Sequence, residues 1–189
     1  LILFPVILGA TILTALFTII LSYITGDSKT TYLPAIWWSR LICVLSFVKV
    51  EIQGEENFNP NESYVFLANH QSVFDIFLVY GWLNSRFKWI MKKEIRKMPF
   101  VGAACEAAGH VFIDRSHPMA AKKSIELAKK RIIDGNSIVI FPEGTRTNNG
   151  KVGNFKRGAF LIATDFELPI VPITIIGAFE RMSRHTLNI

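Results

Sequence analysis

Cysteine is scarce in this chain. Cys43 and Cys105 are its two representatives, and they form neither a CxxC pair nor a disulfide framework. A small domain held together by disulfides is excluded, and a reducing, cytoplasmic setting is compatible. Cys43 lies in an apolar stretch and reads as a small hydrophobe, and no motif beside Cys105 marks it as a nucleophile. Nucleophile elbows of the GxSxG type, phosphate-binding P-loops, dinucleotide-type glycine turns and HExxH are all missing. No zinc-ligand spacing is present, so no metal site is expected. Internal repeats and low-complexity segments are also lacking.

Charge is absent from one long stretch. Residues 1–24 carry none, and the first charged residues are Asp27 and Lys29. A helix of that length crosses a hydrocarbon core of about 30 Å. The run is too long, and lacks the basic leader, for a cleaved signal peptide. Residues 32–50 form a second apolar segment, broken by Arg40, which is expected to snorkel toward headgroups. Trp37 and Trp38 suit the interfacial zone. With a polar link at 25–31, residues 1–50 are expected to form a membrane-associated helical hairpin, embedded in or lying on one leaflet. The first residue is Leu rather than Met, and the natural protein is expected to extend further at both ends.

Acidic residues are outnumbered, 15 against 21 basic ones, giving a net charge of +6 and a pI near 9.4. A basic surface attracts nucleic acid, anionic lipid or phosphorylated small molecules. No RNA-binding aromatic signature, zinc-finger spacing or helix-turn-helix signal accompanies the charge, so nucleic acid is not an expected partner. Half of the residues are hydrophobic, and the mean hydropathy of +0.33 lies between soluble and multi-span proteins.

From Glu51 to the end, composition is that of a globular domain, 51–189. Short apolar runs at 64–68, 88–91, 110–113, 137–141 and 170–176 read as strands buried on both faces. Helical patterns fall between them at 74–83, 119–134 and 158–166. In the second, Ala121, Ile125, Ala128 and Ile132 share one face, Lys122, Lys123, Lys129, Lys130 and Arg131 form a solvated side, and Gly135 supplies a stop. Strand–helix alternation predicts an α/β fold with a largely parallel central sheet flanked by helices.

Chemistry is most legible in Asn69-His70-Gln71-Ser72-Val73-Phe74-Asp75, which follows a strand and opens a helix. Histidine suits general base work near neutral pH, and a carboxylate on its second nitrogen fixes the tautomer. A five-residue separation puts His70 and Asp75 on different faces of a continuous helix. They meet only if His70 is in the loop and the helix starts between them, with Ser72 as N-cap and Asp75 at the third helical position. Backbone N–H groups at Ser72–Phe74 are then candidates for holding an oxyanion. A capping pair of Ser72 and Asp75 is the plainer alternative.

Three further loops follow strands. In Phe141-Pro142-Glu143-Gly144-Thr145-Arg146, Gly144 permits a tight turn, Arg146 offers a fork suited to phosphate, and Glu143 can accept from a hydroxyl or orient Arg146. An ordinary surface pair is the alternative there. In Gly109-His110-Val111-Phe112-Ile113-Asp114-Arg115, Arg115 stands at a strand end as a second phosphate ligand or as half of a surface ion pair, and His110 reads as structural. In Phe155-Lys156-Arg157-Gly158, two cations oppose a helix dipole, a conflict that an anionic ligand relieves. Lys92 and Lys93 are placed similarly.

These motifs in order, together with Leu168-Pro169-Ile170-Val171-Pro172-Ile173, resemble the glycerolipid acyltransferase family, most closely the 1-acyl-glycerol-3-phosphate acyltransferases. The resemblance covers about residues 50–180, and the apolar N-terminus is similar to that family's membrane motif. It implies that His70 is the base and that Asp75 orients it. It further implies that Arg115, Glu143, Gly144, Thr145 and Arg146 bind glycerophosphate, with Lys92 and Lys156 near the phosphate and Pro172 shaping the acyl or acceptor site. The implied substrates are lysophosphatidic acid and either acyl-CoA or acyl carrier protein. No cofactor is implied, and the expected location is the membrane, with the site facing the cytoplasm. Other acceptors, a thioesterase and a non-catalytic anionic-lipid binder remain as alternatives.

Overall fold

A computed structural model describes residues 3–26, 30–114, 116–117, 119–120, 123–126, 129 and 135–183. Its centre is a five-stranded sheet of β1 (Val65–Ala68), β2 (Phe87–Lys92), β3 (Val111–Ile113), β4 (Ser137–Ile140) and β5 (Ile170–Ile173). Their order is β3-β2-β4-β1-β5, and every neighbouring pair is parallel. All five expected strands are present. Parallel pairing sends every strand's carboxyl end to one rim. β4 is inserted beside β1, so the loops that follow these two strands are neighbours there.

Alternation along β1 explains the layers. Phe66 and Ala68 point into one apolar cluster with Phe87, Trp89 and Val139, covered by helices α2 (Leu33–Leu45) and α3 (Phe74–Trp82). Val65 and Leu67 point into the opposite cluster with Ile138 and Ile140, covered by α5 (Arg157–Phe166). Two faces buried by helices require apolar residues at both strand parities, which is why β1 and residues 138–140 of β4 read as apolar runs. Of the helical pattern at 119–134, Met119, Ala120, residues 123–126 and Lys129 are helical. Lys123 and Lys129 are exposed there, and Ile125 packs on the second cluster. Ala121, Lys122, Ala128, Lys130, Arg131 and Ile132 lie outside the described residues.

The N-terminal pair differs in part from expectation. Helix α1 (Leu3–Thr25) runs unbroken, and 11% of its most apolar window is buried. Its length and composition suffice to cross a membrane. It rests on α2 through Trp38 Nε1, which donates to Thr11 Oγ1 at 3.1 Å, and on α4 (Val101–Ala107) through Ser22 Oγ, 3.4 Å from Ala107 O. Helix α2 has 13 residues, about 20 Å of rise, too short for a second span. It packs along α3, with Ile42 and Cys43 fully buried. Arg40 does not snorkel: its Nε donates to Gly81 O at 2.8 Å, and its guanidinium lies over Trp82. Trp38 packs edge-on to Phe77, whereas Trp37 is exposed. The first 50 residues thus share a core with the sheet domain.

His110 is the largest buried polar group beside β2. Its Nδ1 accepts from Trp89 N–H at 3.2 Å, so in the neutral ring Nε2 carries the proton and donates to Tyr80 Oη. The buried Lys88 ammonium nearby donates to Ala108 O at 2.8 Å. Burial, and then the Lys88 charge, push the imidazole pKa down to about 3. An unfolded histidine titrates near 6.5. Below that pH the unfolded chain takes up a proton that the folded chain refuses, so this contribution is complete above about 6.5 and declines as pH falls toward 3. Denaturant unfolding of the detergent-solubilised protein is expected to show about 2–3 kcal/mol less stability from this group at pH 4.5 than at pH 7. His110 should meanwhile remain neutral by NMR in the folded protein at pH 4.5.

Candidate active site

The turn after β1 is fixed from three directions. Asn69 bonds both ways to the segment after β5: Nδ2 donates to Ile175 O at 2.9 Å, and Oδ1 accepts from Ile175 N–H at 2.7 Å. The backbone of His70 is held by the loop after β4. Its N–H donates to Glu143 Oε1 at 2.7 Å, and its carbonyl accepts from Thr147 N–H at 2.9 Å. Gln71 Nε2 reaches Gly150 O at 2.7 Å in the same loop.

The third fixture is Asp75, whose side chain is fully buried. Its Oδ2 lies 2.8 Å from His70 Nδ1 and accepts the N–H groups of Gln71 and Ser72 at 2.6 and 2.8 Å. An ionised carboxylate only accepts, so Nδ1 carries the proton and Nε2 presents its lone pair. His70 is 15% exposed, which leaves the ring edge reachable. Its face lies on Phe141, with centroids 3.8 Å apart and planes 7° apart.

Helix α3 begins at Phe74 by its hydrogen bonds, and Val73 before it already has helical φ and ψ. Ser72 plays the capping part expected of it. Its Oγ donates to Met182 O at 2.7 Å and accepts Phe74 N–H at 3.2 Å. Asp75 completes the expected capping pair, reaching back from the first helical turn to the N–H groups of Gln71 and Ser72. The dipole of that turn favours its charge. Two of the three N–H groups expected to hold an oxyanion, those of Ser72 and Phe74, are engaged inside the turn itself.

The loop after β4 forms the opposite wall. Gly144 has φ +75°, the left-handed turn expected of it. Glu143 is 6% exposed, and its Oε2 accepts Gly153 N–H at 2.8 Å. Both oxygens therefore serve the backbone, and a Cβ on Gly153 would lie 2.9 Å from Oε2. Thr145 is exposed and Arg146 half-buried. Arg146 makes no hydrogen bond or ion pair among the described residues. Lys156 is exposed beside this wall, and its N–H donates to Pro142 O at 2.9 Å. Lys92 is exposed at the carboxyl end of β2. Arg115 lies outside the described residues. Its neighbour Asp114 pairs with Lys93 at 2.7 Å, and the Lys93 and Ser116 bonds hold its carboxyl well below the usual range.

Pro172 is exposed on edge strand β5, where a missing N–H costs no ladder bond on its open side. It lines a cavity of about 440 Å³, with Phe47, Phe58, Phe74, Trp82 and Arg181. Sequence reasoning missed the Asn69 clamp, the bracing role of Glu143 and the Phe141 face. The signal for the last was an aromatic residue directly after a strand that neighbours β1.

Residues 49–176 match the family model described as Acyltransferase. Among curated relatives, a chloroplastic 1-acyl-sn-glycerol-3-phosphate acyltransferase, BAT2, of Brassica napus is 38% identical over 156 residues, covering 80% of this chain and 43% of the relative. The 1-acyl-sn-glycerol-3-phosphate acyltransferase alpha of Homo sapiens is 38% identical over 129 residues, covering 68% of this chain and 46% of the relative. The crystal structure of the 1-acyl-sn-glycerophosphate (LPA) acyltransferase PlsC from Thermotoga maritima is similar with a TM-score of 0.73 at 28% identity, covering 90% of this chain and 69% of that one. The chain spans less than half the length of these two curated relatives.

Replacing Asn69 with Ala orphans a buried N–H and C=O at Ile175, and is expected to lower stability by about 2–3 kcal/mol in denaturant unfolding. Asn69→Asp, which keeps one acceptor, should fall between that variant and the unaltered chain.

Proposed function

This chain belongs to the acyltransferase family, and on that premise we propose that it transfers a fatty acyl group from a thioester to the 2-hydroxyl of 1-acyl-glycerol-3-phosphate, giving phosphatidic acid. The observation that carries the reading is the His70–Asp75 contact at 2.8 Å, with Nδ1 turned to the carboxylate and Nε2 left as the base. The names of the relatives, both 1-acyl-sn-glycerol-3-phosphate acyltransferases, support the acceptor.

In the proposed cycle, Nε2 of His70 removes the proton of the acceptor hydroxyl as its oxygen attacks the thioester carbonyl carbon. Asp75 stabilises the imidazolium that results. The tetrahedral intermediate collapses, the carbon–sulfur bond breaks, and the imidazolium returns its proton to the departing thiolate. Ester and free thiol are the products, and His70 is restored. No acyl-enzyme forms. The donor is acyl-CoA or acyl carrier protein.

We assign the acceptor's phosphate to Arg146, Lys156, Lys92 and Arg115, the cations of the loops at the sheet rim. The lack of a protein partner for Arg146 among the described residues supports its part in this. Gly144 and Thr145 shape that loop. Glu143 fits a bracing role better than direct contact with glycerol, because both of its oxygens already accept backbone N–H groups. Pro172 and the cavity it lines fit an acyl chain. Helix α1 supports a membrane location, which is where a lysolipid acceptor resides; a cytoplasmic orientation of the site is part of the same proposal.

Thiol release from acyl-CoA is expected to require lysophosphatidic acid, and His70→Ala should reduce it by roughly two to four orders of magnitude. Thiol release without acceptor would favour a thioesterase. Glycerol-3-phosphate or another lysophospholipid outcompeting lysophosphatidic acid would reassign the acceptor. Near-normal turnover in His70→Ala would remove the base from the mechanism.

A further inference from the structure

We infer that Phe141 is a positioning residue for the base, setting the plane of the His70 ring while Asp75 sets its tautomer, and that Trp89 backs it from the adjacent strand. The inference rests on the acyl-transfer reading of His70. One hydrogen bond, from Nδ1 to Asp75 Oδ2, fixes one ring atom. Coupled changes of the two side-chain torsions can still tilt the ring about that contact and move Nε2. A second constraint must act on the plane. The ring rests nearly parallel on Phe141, with planes 7° apart and centroids 3.8 Å apart.

Phe141 is itself held in place. Its carbonyl accepts Gly144 N–H at 3.0 Å, closing the turn that follows β4. Its ring stacks on Trp89 at 5.1 Å with planes 28° apart. Trp89 is almost fully buried on β2 and meets Phe87 and Tyr80 edge to face at 5.3 and 5.7 Å. The base therefore leans on a column of rings rooted in the sheet. Such a face has a second effect: the ring quadrupole attracts the imidazolium formed when His70 takes up the acceptor's proton. Positioning errors of about 1 Å cost up to two orders of magnitude in rate, so the loss of the plane constraint should appear in kcat.

The test uses the detergent-solubilised full chain with acyl-CoA and lysophosphatidic acid. Phe141→Leu keeps an apolar side chain but removes the flat face. It is expected to lower kcat roughly tenfold with the acceptor KM unchanged within about twofold, and Phe141→Tyr should restore kcat. In the unaltered protein, labelled histidine is expected to show the His70 ring protons shifted upfield of those of exposed His117, as protons over an aromatic face are. The His70 signals are assigned by their loss in His70→Ala. The shift should vanish in Phe141→Leu and persist in Phe141→Tyr. A normal kcat in Phe141→Leu, failure of Phe141→Tyr to restore it, or His70 protons at the His117 position in the unaltered protein would each overturn the inference. Because the ring-proton shift is read in the unaltered protein, with His70→Ala used for assignment alone, it decides the stack even if Phe141→Leu does not accumulate. An active His70→Ala would instead remove the acyl-transfer reading of the base, while the ring-proton shift would still report the stack.

Discussion

One carboxylate oxygen organises the centre of this molecule. Oδ2 of Asp75 accepts three donors, the His70 ring and the N–H groups of Gln71 and Ser72. A fully buried carboxylate is costly unless it is paired or hydrogen-bonded, and these donors come from the strand-to-helix turn that precedes it. The turn can therefore adopt few other shapes without stranding a charge. Local folding and the placing of the His70 ring are the same event. The three bonds to Oδ2 offset part of the cost of burying Asp75, while its buried Oδ1 has no hydrogen-bond partner among the described residues.

Much of this was legible in the sequence because parallel sheets impose strong patterns. Strands buried on both faces favour apolar residues at successive positions, and 65–68 and 138–140 show it. Parallel strands also send the following loops to one rim, so polar motifs placed just after apolar runs were bound to converge. The details less visible were those set by competition among donors. Ser72 caps the helix through Phe74 N–H, as its composition suggests, yet its hydroxyl also donates to Met182 O, which the sequence does not reveal. Arg40 looked like a charge bound for a lipid headgroup, but a carbonyl on α3 lay within reach. Glu143 looked like a ligand-facing acid and proved to be satisfied by two backbone groups. In each case the side chain's chemistry was read correctly, whereas its partner lay far away in sequence.

The two halves of the chain are less separate than composition suggests. Helix α1 keeps most of its surface open, as a segment meant for lipid would. Helix α2 does not, since it shares buried residues with the sheet's first cluster. A helix packed on both the apolar anchor and the globular core fixes their relative orientation. The rim carrying His70 is then held at a set height relative to α1.

The brace made by Glu143 also has a mechanical consequence. Its two oxygens tie the His70 loop to the turn near Gly153, and Thr147 N–H returns a bond to His70 O. Thermal displacements of the two walls are therefore correlated. The gap between the base and the loop carrying Arg146 varies less than either wall's own position does. Such a site behaves as a caliper of fixed opening; under the proposed acyl transfer, that opening would select acceptors whose hydroxyl and anion are separated by that one span.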